Sequence, residues 1–129
     1  MARVLVVDDD AVLREMMREQ LEGAGHEAVL AKHGGEALAA AEKQAFAVAV
    51  VDLFMPVVEG FETIRRLRRM QPHICIIAVT GGPQVTKVTG GTENLDYLEV
   101  ARLLGARHTL HKPFRGAALV AAVADCLGR

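Results

Sequence analysis

Ionisable and hydroxyl side chains follow directly after four short, mostly hydrophobic runs in this sequence. They are Asp8, Asp9 and Asp10 after residues 4–7, Asp52 after residues 46–51, Thr80 after residues 74–79, and Lys112 after residues 110–111. The carboxyl ends of the strands in an open parallel sheet share one edge, and ligands bind in the crevice outside it. If the four runs are strands of one such sheet, these groups converge on a site suited to phosphate or a metal ion.

The adjacent carboxylates of Asp8 and Asp9 repel each other unless a positive group lies between or in front of them. Mg²⁺ prefers hard oxygen ligands and is typically held by one or two carboxylates together with waters and phosphate oxygens. The alternative is a solvated acidic turn at the start of the first helix, and the pair alone leaves both interpretations open. For Asp10 we favour the helix role, as N-cap or first-turn acid.

Asp52 ends an apolar run, and a carboxylate in that position can act as a nucleophile that accepts a phosphoryl group. Such chemistry needs a metal to neutralise charge and donors for the three equatorial oxygens. Thr80 offers a hydroxyl and Lys112 an ammonium group. Taken singly, Thr80 is an ordinary strand end and Lys112 an ordinary surface lysine. All of them together at strand ends favour a phosphoryl-transfer site.

Strand-like runs alternate five times with helical patterns. Strands are predicted at residues 4–7, 28–31, 47–51, 74–79 and 109–111, and helices at about 10–24, 35–43, 59–70, 93–104 and 117–127. Phe61, Ile64 and Leu67 show the spacing of an amphipathic helix. Continuous apolar strands separated by such helices predict an α/β fold with a five-stranded parallel sheet, doubly wound, and helices on both faces.

The connection at residues 81–92 is longer than the roughly 2–6 residues of most βα loops. Its glycines lack the Gly-Lys-Ser/Thr ending of a phosphate loop. We interpret it as a lid or docking loop over the active edge, in preference to a tolerated surface insertion.

The composition is that of a globular protein, and residues 1–129 are assigned to a single domain. A formal net charge of −1 gives no reason to expect nucleic acid or a membrane surface as partner. Neither a signal-peptide pattern nor an apolar run of about 20 residues is present, so we expect a cytoplasmic protein. With no sign of secretion, Cys75 and Cys126 are expected to remain unpaired.

Together these motifs resemble the receiver domain of two-component response regulators over essentially the whole chain. The matching segments are Val-Val-Asp-Asp (6–9), Asp-Leu-Phe-Met-Pro with Glu-Gly (52–56 and 59–60), Thr-Gly (80–81), Gly-Ala (105–106) and Lys-Pro-Phe (112–114). The resemblance implies a flavodoxin-like fold and a phosphoacceptor at Asp52. It implies Mg²⁺ ligation by Asp9, Asp52 and the backbone carbonyl of Phe54, with Asp8 acting mostly through water.

The resemblance also implies that Lys112 pairs with Asp52 and the phosphoryl group, that Thr80 bonds a phosphoryl oxygen, and that the bond before Pro113 is cis. One position departs from the family: receivers usually carry an aromatic residue three positions before the lysine, where this chain has Thr109. The usual coupling of threonine to aromatic ring is therefore in doubt, and we expect the 81–92 loop and the fourth helix to report phosphorylation.

The leading hypothesis is a stand-alone receiver, phosphorylated by a histidine kinase or a histidine phosphotransfer protein and acting on a separate output protein. One alternative is a pseudo-receiver that binds partners without phosphorylation. Another is a phosphatase of the haloacid-dehalogenase type, whose nucleophile strand residues 4–10 also resemble, with Asp8 attacking and Asp10 as acid/base. That alternative leaves Asp52 without a role.

The five histidines are weak candidates for chemistry. His26, His33 and His73 fall at element edges and are expected to be solvated. His108 and His111 are three residues apart in a strand region, so they should point to opposite faces and make a poor metal pair.

Overall fold

The computed structural model of the chain describes residues 1–53, 57–81, 87–90 and 93–129. Its strands are β1 (Arg3–Val7), β2 (Glu27–Ala31), β3 (Val48–Asp52), β4 (Cys75–Thr80), β5 (Lys87–Gly90), β6 (Glu93–Asp96) and β7 (Ala106–His111). Its helices are α1 (Ala11–Gly23), α2 (Gly34–Lys43), α3 (Val57–Met70), α4 (Tyr97–Leu103) and α5 (Gly116–Cys126). Among the described residues, none of the helices combines the length and apolar character required to cross a bilayer.

The main sheet contains five parallel strands in the order β2-β1-β3-β4-β7, which confirms the predicted architecture. Alternate side chains of β1 enter two separate cores. Leu5 and Val7 pack in one core with residues of α2, α3 and α4, while Val4 and Val6 pack in the other with residues of α1 and α5. Helices therefore cover both faces, which is why the three inner strands β1, β3 and β4 are almost continuously apolar.

The strand order places the candidate site at a reversal of chain direction across the sheet. From β1 the chain moves outward to β2, and it then returns to β3 on the other side of β1. The crevice beyond the carboxyl ends of β1 and β3 is the topological switch point at which open α/β sheets bind ligands. Asp8 follows β1 and Asp52 ends β3, so the sequence places two carboxylates at that crevice.

The segment after β4 differs from the prediction. Residues 87–90 and 93–96 are not loop and helix but an antiparallel pair, β5 and β6, with Gly90 opposite Glu93. Two short runs separated by two residues next to a Gly-Gly pair are a hairpin signal, and helix α4 starts four residues later than predicted. Residues 82–86 and 91–92 lie outside the described residues, so the lid or docking role of the 81–92 loop stays a prediction.

The two cysteines form a disulfide, contrary to the expectation that they remain unpaired. Cys75 opens β4 and Cys126 ends α5, and packing of α5 on the sheet brings their Cα atoms to 5.8 Å. That separation lies within the range for a bridge. The expectation was wrong because it considered only the cellular compartment and not the short distance between the two cysteines that this topology creates.

His26 is also not solvated as expected, since only 6% of it is exposed. Its Nδ1 accepts a hydrogen bond from the backbone N–H of Ala2 at 3.2 Å, which links the residue before β1 to the connection between α1 and β2. Burial lowers the pKa of His26, and the positive charges of the N-terminus and Arg129 lower it further.

Reduction of the disulfide should lower the free energy of unfolding by about 2–4 kcal/mol, because the bridge restricts the unfolded chain over a separation of 51 residues. Urea unfolding with and without a reductant measures the difference. Cys126→Ser should unfold like the reduced wild type and be insensitive to reductant. Two titratable thiols in the native wild type, with no effect of reductant, would contradict the pairing.

Candidate functional site

The three consecutive acidic residues after β1 have three different environments. Asp8 is fully buried, its Oδ1 accepts the backbone N–H of Asp10 at 2.9 Å, and Arg14 Nη1 donates to its backbone carbonyl at 2.8 Å. Asp9 is exposed. Asp10 caps α1, with Oδ1 accepting the backbone N–H groups of Val12 and Leu13, so its predicted helix role is confirmed.

Asp52 and Lys112, which are 60 residues apart in the sequence, meet at the centre of the site. Asp52 is 1% exposed at the end of β3, and its Oδ2 accepts a hydrogen bond from Lys112 Nζ at 2.8 Å. The same ammonium group donates to Asp8 Oδ2 at 3.1 Å. One cation therefore bridges two buried carboxylates, a pairing without which their burial would be strongly unfavourable.

The protonation of Lys112 follows from that pairing. Burial by itself opposes its charged form, but the hydrogen bond and charge of Asp52, together with those of Asp8, raise the pKa of Lys112 above its usual 10.5. The backbone N–H of Lys112 also donates to the carbonyl of Thr80 at 2.9 Å, and its peptide bond to Pro113 is cis. The ammonium group is thus charged and fixed in position at neutral pH.

The carboxylates of Asp8, Asp9 and Asp52 offer oxygen atoms that all lie within 4.8 Å of one another. Three hard oxygen donors at that separation fit a divalent cation such as Mg²⁺. One ammonium group does not balance three carboxylates, so the cluster keeps a net negative charge that a bound metal ion would compensate. Phe54, whose backbone carbonyl the resemblance adds as a ligand, lies outside the described residues.

Thr80 ends β4 and is 1% exposed, directly opposite His111 of β7 in the strand register. Its Oγ1 lies 3.2 Å from Nδ1 of His111. Thr109, at the position where the receivers that this sequence resembles usually carry an aromatic residue, is half-buried opposite Ala78. The structure therefore gives the Thr80 hydroxyl a partner on β7, two residues beyond Thr109.

Sequence reasoning missed His111 because it assessed the residue only as one of a metal pair with His108. The two histidines indeed have separate partners, since His108 Nε2 bonds Asp125 Oδ2 at 2.7 Å. The available signal was the strand period: side chains two residues apart share a face, so His111 lies on the face of Thr109. Arg14, which supports Asp8, gave no comparable signal.

A groove of about 300 Å³ adjoins the site between α1 and the segment after β7. It is lined by apolar and polar side chains, among them Leu13, Met16, Met17, Gln20 and Phe114, and Lys112 lies on its wall. Met16 and neighbouring Val12 are exposed hydrophobic residues. The site therefore opens beside an apolar surface.

Comparison with known proteins identifies the family. The family model of the response regulator receiver domain matches residues 4–124. The chain belongs to this family. It is 35% identical over 113 residues to a response regulator receiver protein of Anaeromyxobacter sp. strain Fw109-5, covering 88% of this chain and 43% of that protein. The chain thus spans about half the length, or less, of the curated relatives that it matches.

Two solved structures illustrate the similarity of fold. The chemotaxis protein CheY4 of Vibrio cholerae superposes with a TM-score of 0.79 at 31% identity, covering 98% of each chain. A response regulator of Burkholderia pseudomallei superposes with a TM-score of 0.79 at 27% identity, covering 95% of this chain and 66% of that one. The latter structure contains a phosphorylated aspartic acid and a calcium ion.

Replacement of Lys112 by methionine should lower the free energy of unfolding by about 3 kcal/mol at neutral pH, because Asp8 and Asp52 lose their shared cation. Since the pKa of Lys112 is raised by folding, its contribution is fully present below 10.5 and is lost as the pH rises through its folded-state value. Urea unfolding at neutral and alkaline pH tests both statements.

The matched control for this experiment is Lys43→Met, at an exposed lysine near the end of α2. It should change stability by less than about 0.5 kcal/mol at either pH. Equal effects of the two substitutions at neutral pH would show that the Lys112 bridge does not stabilise the fold. A gap between wild type and Lys112→Met that widens at alkaline pH would contradict the sign of the pKa shift.

Proposed function

We propose that these residues form a phosphorylation-controlled switch in which Asp52 accepts one phosphoryl group in a Mg²⁺-dependent reaction. The observation that carries the proposal is the bridge from Lys112 to Asp52 and Asp8 beside the exposed carboxylate of Asp9. A structural ion pair would not require two further acidic groups at the same edge. The phosphorylated aspartic acid of the Burkholderia pseudomallei relative supports the assignment by similarity.

In the proposed reaction a carboxylate oxygen of Asp52 attacks the phosphorus atom of the donor, and the bond from phosphorus to the donor's leaving atom breaks. The product is an acyl phosphate on Asp52, and the leaving group departs with the bonding electron pair. Lys112 stabilises the negative charge on the transferred group, because its ammonium already contacts Asp52. Thr80 supplies a hydroxyl donor from the end of β4. Bound Mg²⁺ would neutralise charge on the phosphoryl oxygens.

Asp8, Asp9 and Asp52 would hold the metal in different ways. Asp8 is engaged by the Asp10 N–H on one oxygen and by Lys112 on the other, so it suits contact with the ion through water. Asp9 is exposed at the mouth of the site and suits direct ligation. The capping bonds of Asp10 leave it oriented toward α1, which argues against the acid/base role that a haloacid-dehalogenase-type phosphatase would assign to it.

Partners follow from the same proposal. Receiver domains of response regulators interact with kinases and output domains. We extend this to a histidine kinase or histidine phosphotransfer protein as the phosphoryl donor and a separate protein as the recipient of the signal. Thr109 replaces the usual aromatic residue. The conformational response to phosphorylation should therefore pass from Thr80 to the segment that follows it and to α4.

Incubation with Mg²⁺ and a small phosphodonor such as acetyl phosphate should add one phosphoryl group to the wild type. Intact-mass measurement should show no addition to Asp52→Asn, because the amide is not a nucleophile for this reaction, and none to the wild type when a chelator removes the metal. Labelling of Asp52→Asn, or a modification mapped to Asp8, would contradict the proposal and favour the phosphatase alternative. A wild type that is never modified would favour the pseudo-receiver.

Mg²⁺ affinity should depend more on Asp9 and Asp52 than on Asp8 or Asp10. Calorimetric titration should show a loss greater than about tenfold for Asp9→Asn and Asp52→Asn, since direct ligands matter more than residues that act through water. Asp10→Asn is the matched control, because asparagine caps a helix about as well as aspartate and should leave affinity within about twofold. Equal losses for Asp9→Asn and Asp10→Asn would overturn this ligand assignment.

A further inference from the structure

The hydroxyl of Thr80 contacts a residue of β7, which lies on the opposite side of β4 from β1 and β3, the strands that carry the acidic cluster. Its Oγ1 lies 3.2 Å from Nδ1 of His111, its partner in the β4–β7 register. The pairing is secured by the hydrogen bond from the Lys112 backbone N–H to the Thr80 carbonyl. Thr80 is 1% exposed, whereas His111 is an exposed residue at the end of β7. A buried hydroxyl is thus linked to a ring at the surface.

A hydroxyl has one proton to donate, and a neutral imidazole accepts through one ring nitrogen and donates through the other. The 3.2 Å contact fits either tautomer of His111, because water can pair with the exposed Nε2 whether or not it carries the proton; we take the tautomer in which Nε2 carries it and Nδ1 accepts from the Thr80 hydroxyl. The proton of Thr80 is then committed to His111. A phosphoryl oxygen on Asp52 is an acceptor only, so it can take the Thr80 hydrogen bond only if His111 loses it.

We propose that His111 is a positioning residue that competes with the phosphoryl group for the Thr80 hydroxyl. In the unphosphorylated protein His111 holds the hydroxyl, and on phosphorylation Thr80 transfers its hydrogen bond to the phosphoryl oxygen and releases the imidazole. The inference rests on the proposed phosphorylation of Asp52. It supplies the surface reporter that Thr109, lacking an aromatic ring, does not provide.

The competition predicts the direction of a binding change. Beryllofluoride with Mg²⁺ imitates a phosphoryl group on a carboxylate. Its binding free energy includes the cost of breaking the hydrogen bond between Thr80 and His111. His111→Ala eliminates that free-energy cost and should bind the mimic about 3- to 10-fold more tightly, the range expected for one hydrogen bond. His111→Asn retains an acceptor close to the position of Nδ1 and should stay near the wild-type affinity.

Two further variants separate competition from a general structural effect. In a Thr80→Val background, His111→Ala should have no effect on affinity, because the shared hydroxyl is gone and the double-mutant cycle then reports the coupling. His108→Ala is the matched control on the same strand, since His108 bonds Asp125 and not Thr80. It should bind the mimic like the wild type.

The ring nitrogens of His111 give an independent readout by ¹⁵N NMR. Adding beryllofluoride should move the Nδ1 resonance of His111 toward that of a nitrogen without a donor, and Thr80→Val should give the same shift with no mimic present. The His108 signals should not move. If the wild type binds the mimic but His111→Ala binds it equally or more weakly, or if the His111 resonances stay unchanged, the inference is overturned. A wild type that binds no mimic contradicts the proposed phosphorylation itself, and the two failures are thereby distinguished.

Discussion

The site depends on one ammonium group held between two buried carboxylates. Lys112 Nζ lies 2.8 Å from Asp52 Oδ2 and 3.1 Å from Asp8 Oδ2, and both aspartates are almost fully removed from water. Burial of a carboxylate costs several kcal/mol unless it is paired. The exposed carboxylate of Asp9 adds a third negative charge that this cation does not balance. The edge is therefore stable enough to fold and keeps a net negative charge that a divalent cation could neutralise.

The pairing of the strands and the packing of the two cores hold these charged groups in position. Pairing of β1 with β3 sets the two carboxylates side by side, and the β4–β7 register, closed by the Lys112 N–H bond to Thr80, delivers the ammonium from 60 residues further along the chain. Two packed cores, one on each face of the sheet, keep the strand ends from shifting. The same register places His111 beside Thr80, so the geometry that positions the cation also positions the proposed reporter.

The sequence predicted the parallel sheet and the convergence of acidic groups because both follow from patterns within single elements. It did not predict contacts that depend on how elements pack. The Cys75–Cys126 bridge requires the end of α5 to lie against the start of β4, and the burial of His26 requires the chain start to cover it. The β5–β6 pair was missed because residues 93–96 were included in the predicted helix 93–104, and two four-residue strands are too short for a period-2 pattern that would outweigh that helical spacing.

The most direct test of the account is a crystal structure of the protein with Mn²⁺ in place of Mg²⁺ and with beryllofluoride. We expect an anomalous peak coordinated by the carboxylates of Asp9 and Asp52, a beryllofluoride group on Asp52, and Lys112 Nζ in contact with a fluorine atom of that group. A metal coordinated by Asp8 and Asp10, or an adduct on Asp8 with Asp52 unmodified, would contradict it.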